Sequence, residues 1–423
     1  MRRLLILLVA ISAAFFAGTL PALAAPAVRS GEYLDLVAGK NPELAAAAAR
    51  VEALYRLVDV VTGSTLPRLG LQASSGRVLR EGAGESSLSL ILGKRLDLWG
   101  GDELAIRQAE LSARIQEARL GELAASLLRE AETVYWNAAA GKSAVSLYDS
   151  LLAQREEDLR VARLRFEQGT AAKLDVFRAE VQVEKTRAAK TEAEASLRDA
   201  LSLMARLAGG EPVEPSEMPV PFEMKLVADP DAAWKSRPDA RRVDLERTAA
   251  SIATRIASMG MHPTVDASLA STLLSDSDAA IPPESDILLS VKVELPLYDG
   301  GQTRADKASK RLLEKASELD GMTLRTVIAA ELELAASRFE KARALETSRR
   351  KEAELASEEL RITRLRYGTG VGSQLELLDA QVREQAARTA YLDALREMAV
   401  SRVQLRYALG LYPLPSAWAE KNS

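Results

Sequence analysis

RLRFEQGTAAKLDVFRAEV, residues 163–181, returns as RLRYGTGVGSQLELLDAQV at residues 364–382. The offset of 201 residues holds without a gap through Gly169 and Gly370, Leu174 and Leu375, and Ala179 and Ala380. It ends at Gly209 and Gly410, where Arg206-Leu207-Ala208 and Tyr407-Ala408-Leu409 lead into the closing glycines. Self-similarity at about half the chain length is a tandem duplication of one supersecondary unit.

Working outward from the Gly169 turn, no proline interrupts Asp102 to Phe166, and Thr303–Tyr367 matches it in the second half. Leu120, Leu123, Leu127, Ala131, Val134, Ala138, Gly141, Val145, Tyr148 and Leu152 step by threes and fours, a coiled-coil seam. At ~1.5 Å per residue such a helix runs roughly 100 Å. The helix returning from the turn is about 38 residues, roughly 57 Å, so a second helix must complete its path. Asn41-Pro42-Glu43 opens one that runs to about Val61, before Thr62-Gly63-Ser64 and Pro67. Arg237-Pro238-Asp239 and Pro263 repeat the start and stop, although Arg237 is a poorer cap than Asn41. Residues 25–40 read as an extended lead-in.

Between those helices the period changes. Leu88, Leu90, Leu92, Leu96 and Leu98 alternate with Ser89, Gly93, Arg95 and Asp97. Ile287, Leu289, Val291, Val293, Leu295 and Leu297 alternate with Ser290, Lys292 and Glu294. Period two predicts strands with one apolar face. Weaker strands, Arg68–Ser75 and Thr264–Leu274, precede them, with loops at about 76–86 and 275–286 completing two hairpins.

Composition sets the frame. The 423 residues are 47% hydrophobic and 27% charged but only 4% aromatic, which favours long helices over a large enzyme core. Residues 1–24 form a secretory signal: Arg2 and Arg3, an apolar stretch from Leu4 to Phe16, and Ala22-Leu23-Ala24. Removing it takes the formal charge from −4 to −6, which gives nucleic acid no basic surface. There is no cysteine, hence no disulfide and no thiolate chemistry. After the signal, no run of 18 apolar residues suggests a membrane-spanning helix.

The expected division is a signal peptide 1–24, a first repeat 25–210, a Pro-rich linker 211–236, a second repeat 237–410 and a tail 411–423. Each repeat holds a helix, a β-hairpin (about 67–98 and 263–298) and a long helical hairpin (102–208 and 303–408). Strands of this length suit an outer-membrane barrel. Four strands cannot close one, and open edges in hydrocarbon leave backbone groups unsatisfied, so membrane insertion requires several copies. Period alone leaves the number of chains open. A soluble periplasmic coiled-coil scaffold or adaptor, its hairpins half buried, is the alternative.

The duplicated helix–hairpin–helix layout, the strand exit Pro296-Leu297-Tyr298-Asp299-Gly300-Gly301, and Arg366-Tyr367 followed by Leu375-Glu376-Leu377-Leu378-Asp379-Ala380-Gln381 carry a resemblance. Over nearly all of residues 40–412 the chain resembles the TolC-type outer membrane efflux protein family. The resemblance implies a mostly α fold with a small β part. Long coiled-coil hairpins would form a periplasmic α-barrel, and four strands per chain would enter a shared 12-stranded β-barrel of a homotrimer. It implies a passive exit duct of a tripartite efflux or type I secretion system in a Gram-negative outer membrane. A periplasmic adaptor and an inner-membrane pump of RND, ABC or MFS type would be its partners, with outer-membrane lipid around the strands.

By the same resemblance the turns at 166–173 and 367–374 form a periplasmic tip. Glu376 and Asp379 fall at the acids that narrow the pore, and Tyr367 at a tyrosine that helps latch it. Gly372 stands where some members carry a latch arginine, which leaves that role to groups such as Arg364 or Arg366. Asp175 matches the first acid in repeat one, but Arg178 replaces the second, so the ring is expected from repeat two. Arg165, Gly169, Thr170, Arg366 and Gly370 are the expected adaptor-docking residues, the glycines for turn geometry. Leu88, Leu90, Leu92, Ile287, Leu289 and Val291 are the expected membrane-facing residues. No catalytic residue, metal site or cofactor is expected: the single histidine, His262, lies beside Pro263 at a strand entrance. Gly100-Gly101 lacks any phosphate-loop pattern.

Overall fold

The structure, a computed structural model, describes residues 26–77, 84–221, 229–277 and 287–412. The expected signal peptide, the hairpin loop tips and most of the C-terminal tail lie outside them. The first half contains β1 (Ala27–Val28), α1 (Ser30–Lys40), α2 (Pro42–Ser64), β2 (Arg68–Arg77), β3 (Gly84–Leu96), α3 (Gly101–Glu167) and α4 (Lys173–Leu207). The second contains β4 (Glu214–Pro215), α5 (Pro230–Ser236), α6 (Pro238–Ala257), β5 (Thr264–Ser277), β6 (Ile287–Glu294), α7 (Gln302–Gly368) and α8 (Gln374–Ala408).

Helix α3 is the hub. Toward the strands the helices neighbour one another in the order α2–α3–α6–α7, and toward the turns α4–α3–α8–α7. The expected end-to-end stacking has a concrete joint. Asn41 caps α2 by accepting from the Glu43 and Leu44 amides at 2.9 and 3.2 Å, while its Nδ2 donates to the Leu207 carbonyl at 3.1 Å. One side chain thus closes the end of α4 and the start of α2. In the second half Arg237 makes no helix cap, but its Nη1 reaches the Ala408 carbonyl at 3.5 Å. It is buried between Asp239 (2.7 Å) and Glu331 (2.8 Å). Burial works against the charge, but those carboxylate hydrogen bonds outweigh it and hold the guanidinium above its ordinary range. Both joints need glycine. Gly209 and Gly410 have φ of 74° and 71°, and a Cβ would lie 2.7 Å from the Lys40 carbonyl oxygen or 2.9 Å from Ser236 Oγ.

The lead-in expected at residues 25–40 is instead largely helix α1. Its entry is fixed by the Glu32 carboxylate accepting from the Arg29 amide at 2.9 Å. Tyr33 and Val37, four apart, are fully buried, and the Tyr33 hydroxyl donates to the Met204 carbonyl at 3.1 Å. Three turns of amphipathic sequence were too few to stand out beside the longer helices. Helix α5, capped by Asp229, is a helix within the Pro-rich linker. β1 and β4 pair in parallel, Ala27 with Glu214 and Val28 with Pro215, which ties the N-terminal segment to that linker.

The coiled-coil seam of α3 is buried at Leu120, Leu127, Ala131, Val134 and Ala138. Beyond Gly141 the buried face passes to Ser143, Leu151, Arg155 and Ala162, because a straight helix drifts against a strict seven-residue repeat. Near the middle, Glu132 (1% exposed) joins the halves. Its carboxylate accepts from Arg406 at 2.7 and 2.9 Å and from the Tyr412 hydroxyl, with Arg402 at 3.6 Å. Burial, then the adjacent Glu132 charge, pushes the Tyr412 hydroxyl well above its usual range. This residue fixes the chain as it leaves α8.

The two hairpins form one antiparallel sheet in the order β2–β3–β5–β6, joined through β3 and β5, with a bulge at Leu88/Ser89. Strands β2 and β5 run two to three residues past the expected hairpin boundaries. At the exits, Asp97 accepts from the Gly101 and Asp102 amides at 2.9 and 2.8 Å, and Asp299 from the Gly301 and Thr303 amides at 2.9 and 2.7 Å. Each aspartate supplies acceptors to the first turn of a 67-residue helix.

Candidate functional site

Register divides the sheet into two faces. Leu69 lies opposite Leu92, Leu92 opposite Leu269, and Leu269 opposite Leu289; Leu71 lies opposite Leu90. Leu88, Leu90, Leu92, Ile287, Leu289 and Val291 therefore share one face, together with Leu69, Leu71 and Leu269. Leu289 is 72% exposed and Ile287 73%, with Leu90 and Leu92 also exposed and Leu88 half-buried. A contiguous apolar surface of this kind on an isolated chain marks contact with lipid or protein. The opposite face carries Gly70, Gln72, Ser89, Ile91, Gly93, Ser268 and Ser290, with Arg68, Arg95, Asp266, Lys292 and Glu294 at the helix-proximal end.

The sheet and both helical layers end in the same way. β2, α2 and α4 form one open edge, and β6 and α7 the other. Helix α7 leaves Leu312, Leu319, Met322, Leu355 and Leu365 more than half exposed. Strand edges need partners in hydrocarbon. The edges complement one another, first repeat against second, as a ring of identical copies requires.

At the far end lie the two helical turns. Gly169 and Gly370 take φ of 72° and 79°, and Thr170 folds back so that its amide and hydroxyl both donate to the Arg165 carbonyl, at 2.9 and 3.0 Å. Glu376 and Asp379 are exposed, one turn apart on α8, and form no salt bridge among the described residues. Their repeat-one counterpart differs: Asp175 faces Arg178 at 3.7 Å and accepts from the Ala172 amide at 3.3 Å.

Tyr367 and Arg165, read from sequence in separate roles, touch: the guanidinium lies 4.4 Å from the ring centroid. Arg366 is exposed, and its carbonyl accepts from the Val371 and Gly372 amides at 3.0 Å. Gly372 sits close against the turn, where a Cβ would lie 3.1 Å from the Tyr367 nitrogen. A bulkier residue there presses on the Arg366–Tyr367 backbone.

Sequence reasoning missed the central residue of this end. Arg155 is buried, and its Nη2 donates to the Gln381 carbonyl at 3.3 Å, while Nη1 meets the Gln381 side chain. Gln381 Nε2 donates to Asp158 at 2.6 Å, and Arg364 stands 3.9 Å from the same carboxylate. Gln374 donates to the Asp175 carbonyl at 3.1 Å. Every one of these contacts joins repeat one to repeat two. Burial lowers the Arg155 pKa from its usual value. The available signal was its place three residues after Leu152, in step with the seam, where a charge needs a partner. A cavity of about 230 Å³ lies beside it, lined by Asp158, Arg165, Arg364, Tyr367 and Leu377.

An apolar-faced partial barrel continued by long helices with complementary edges defines a membrane duct built from several copies. Residues 33–210 and 230–411 match the model of the outer membrane efflux protein family, and the chain belongs to that family. It is similar to nodulation protein T of Rhizobium leguminosarum bv. viciae, 24% identical over 89% of this chain and 81% of that one. Protein CyaE of Bordetella pertussis is 26% identical over 90% and 83%. The fold is that of the open-state Neisseria gonorrhoeae MtrE outer membrane channel, with a TM-score of 0.80 at 22% identity, covering 90% of this chain and 89% of that one.

The protein is thus an outer-membrane exit duct, mostly helical, with four strands per chain for a shared barrel and a large periplasmic helical part. The soluble scaffold is set aside by that membership. The family is one of efflux ducts.

Proposed function

We propose that this duct is opened at its helical tip by a periplasmic adaptor and an inner-membrane pump, and that Glu376 and Asp379 of the three chains form its narrowest, cation-favouring ring. The observation that carries this reading is the asymmetry of the two turns. Repeat two presents two exposed acids without a salt bridge among the described residues, whereas Asp175 of repeat one faces Arg178. Six carboxylates around a threefold axis make a ring of the kind that selects cations. Arg155, Asp158, Gln381, Arg364 and the Arg165–Tyr367 stack hold the two helical hairpins of each chain together and would have to rearrange as the tip widens. In this reading Arg364 serves the latch that Gly372 cannot. Arg165, Thr170 and Arg366, with the turns at Gly169 and Gly370, present the surface that the adaptor meets.

Glu376→Gln combined with Asp379→Asn is expected to reduce cation preference in planar-bilayer recordings under a salt gradient, moving the reversal potential toward zero. The change removes charge but little volume, so conductance should alter less than selectivity. An unchanged reversal potential would take both residues out of the constriction. The nature of the cargo is set chiefly by the pump, a separate chain.

A further inference from the structure

On the polar face of the sheet, five charged residues gather at one end. Arg68, Arg95, Asp266, Lys292 and Glu294 all lie at the helix-proximal end, and Ser, Gln and Gly dominate the same face farther along. Arg95 pairs with Asp266 at 3.2 Å and Lys292 with Glu294 at 3.0 Å. Arg68 has no ion pair among the described residues, and it lies on β2, one of the two strands with an open edge. Glu294 lies on β6, the other.

The register says how near these two come when the barrel closes. Directly across the sheet from Arg68 lie Gly93, then Ser268, then Ser290. Ser290 is four residues inside the helix-proximal end of β6, so the row climbs about four residues in three strand steps, the stagger that barrel closure demands. One further step at that pitch brings Ser290 opposite Gln72 or Ser74 of the next copy, since side chains on one face keep to alternate positions. Glu294, antiparallel and four residues lower, then falls opposite Arg68 or Gly70. Opposite or diagonal neighbours are both within reach of side chains as long as these.

We propose that Arg68 of one chain and Glu294 of the next form an ion pair across each subunit seam of the barrel, turning the separate pairs within each chain into one continuous charged belt at the periplasmic end of the lumen. This rests on the trimeric reading above and goes beyond it by fixing the seam. It gives a partner to Arg68, which has no ion pair among the described residues.

The natural absence of cysteine makes the test direct. Full-length Arg68→Cys/Glu294→Cys, extracted in detergent and treated with a short bis-maleimide, should give covalent dimers and trimers on a denaturing gel, while each single variant stays monomeric. Arg68→Glu alone should lower the yield of detergent-stable trimer several-fold, and Arg68→Glu/Glu294→Arg should restore most of it. A double-cysteine protein that is trimeric by light scattering yet does not cross-link would overturn the register. Cross-linking without any effect of charge reversal would overturn the ion pair. If the unaltered protein is not a trimer, the functional reading fails together with the seam.

Discussion

Leu289→Arg should remove most of the assembled duct from the outer membrane. Leu289 is 72% exposed on the isolated chain, in a row with Leu269, Leu92 and Leu69, and these side chains are expected to meet lipid once the barrel forms. An arginine on the lipid face costs about 2–4 kcal/mol near the bilayer midplane, and a threefold assembly carries that cost at three sites. Ser290→Arg, one residue away on the opposite face, is the control. Its side chain shares a face with Ser268 and Gly93, the face expected to line the lumen, where an ion stays hydrated. The measurement is the yield of heat-resistant trimer from outer-membrane fractions of the two variants. Equal yields would show that the face bearing Leu289 does not meet lipid.

Glu132→Gln is expected to destabilise the helical part by about 3 kcal/mol, the lower end of what removing one partner of a buried ion pair produces. The lower end applies because Arg406 is 32% exposed and can turn to water, whereas Arg402, at 18%, and Tyr412 cannot do so as easily. Glutamine fills the same space but leaves two guanidiniums sharing a neutral acceptor. Because Tyr412 is held by this carboxylate, the C-terminal end should also become sensitive to protease. Denaturant titration and limited proteolysis read the two effects separately. A variant as stable and as resistant as the parent would mean that Glu132 is not what binds α8 to α3.

What the sequence made legible follows from which residues carry periodic signal. The strands expected over 87–98 and 287–297, found at Gly84–Leu96 and Ile287–Glu294, were visible because leucine and valine alternate with serine and ions over many residues. The 67-residue helices were visible because no proline or strand period interrupts them. Helix α1 was hidden because three turns with two deeply buried residues offer little pattern. Side-by-side joining of the hairpins through β3 and β5 was likewise invisible, since strand order depends on partners far apart in sequence.

At the tip, sequence marked Glu376, Asp379 and Tyr367, and the structure adds a network around Arg155 that links residues 226 positions apart. Such contacts leave no periodic trace. The joint at Arg237 shows the same limit. Read as a weak cap, it is a buried ionic hinge that does by charge what Asn41 does by hydrogen bonding.

The most direct test of the whole account is the cellular fraction of the mature protein and its protein mass in detergent, determined by light scattering with the detergent contribution subtracted. A trimer that depends on detergent for solubility and comes from the outer membrane is the predicted result. A water-soluble monomer or dimer would contradict it, because a chain that dissolves without detergent does not carry the edges of β2 and β6 in hydrocarbon.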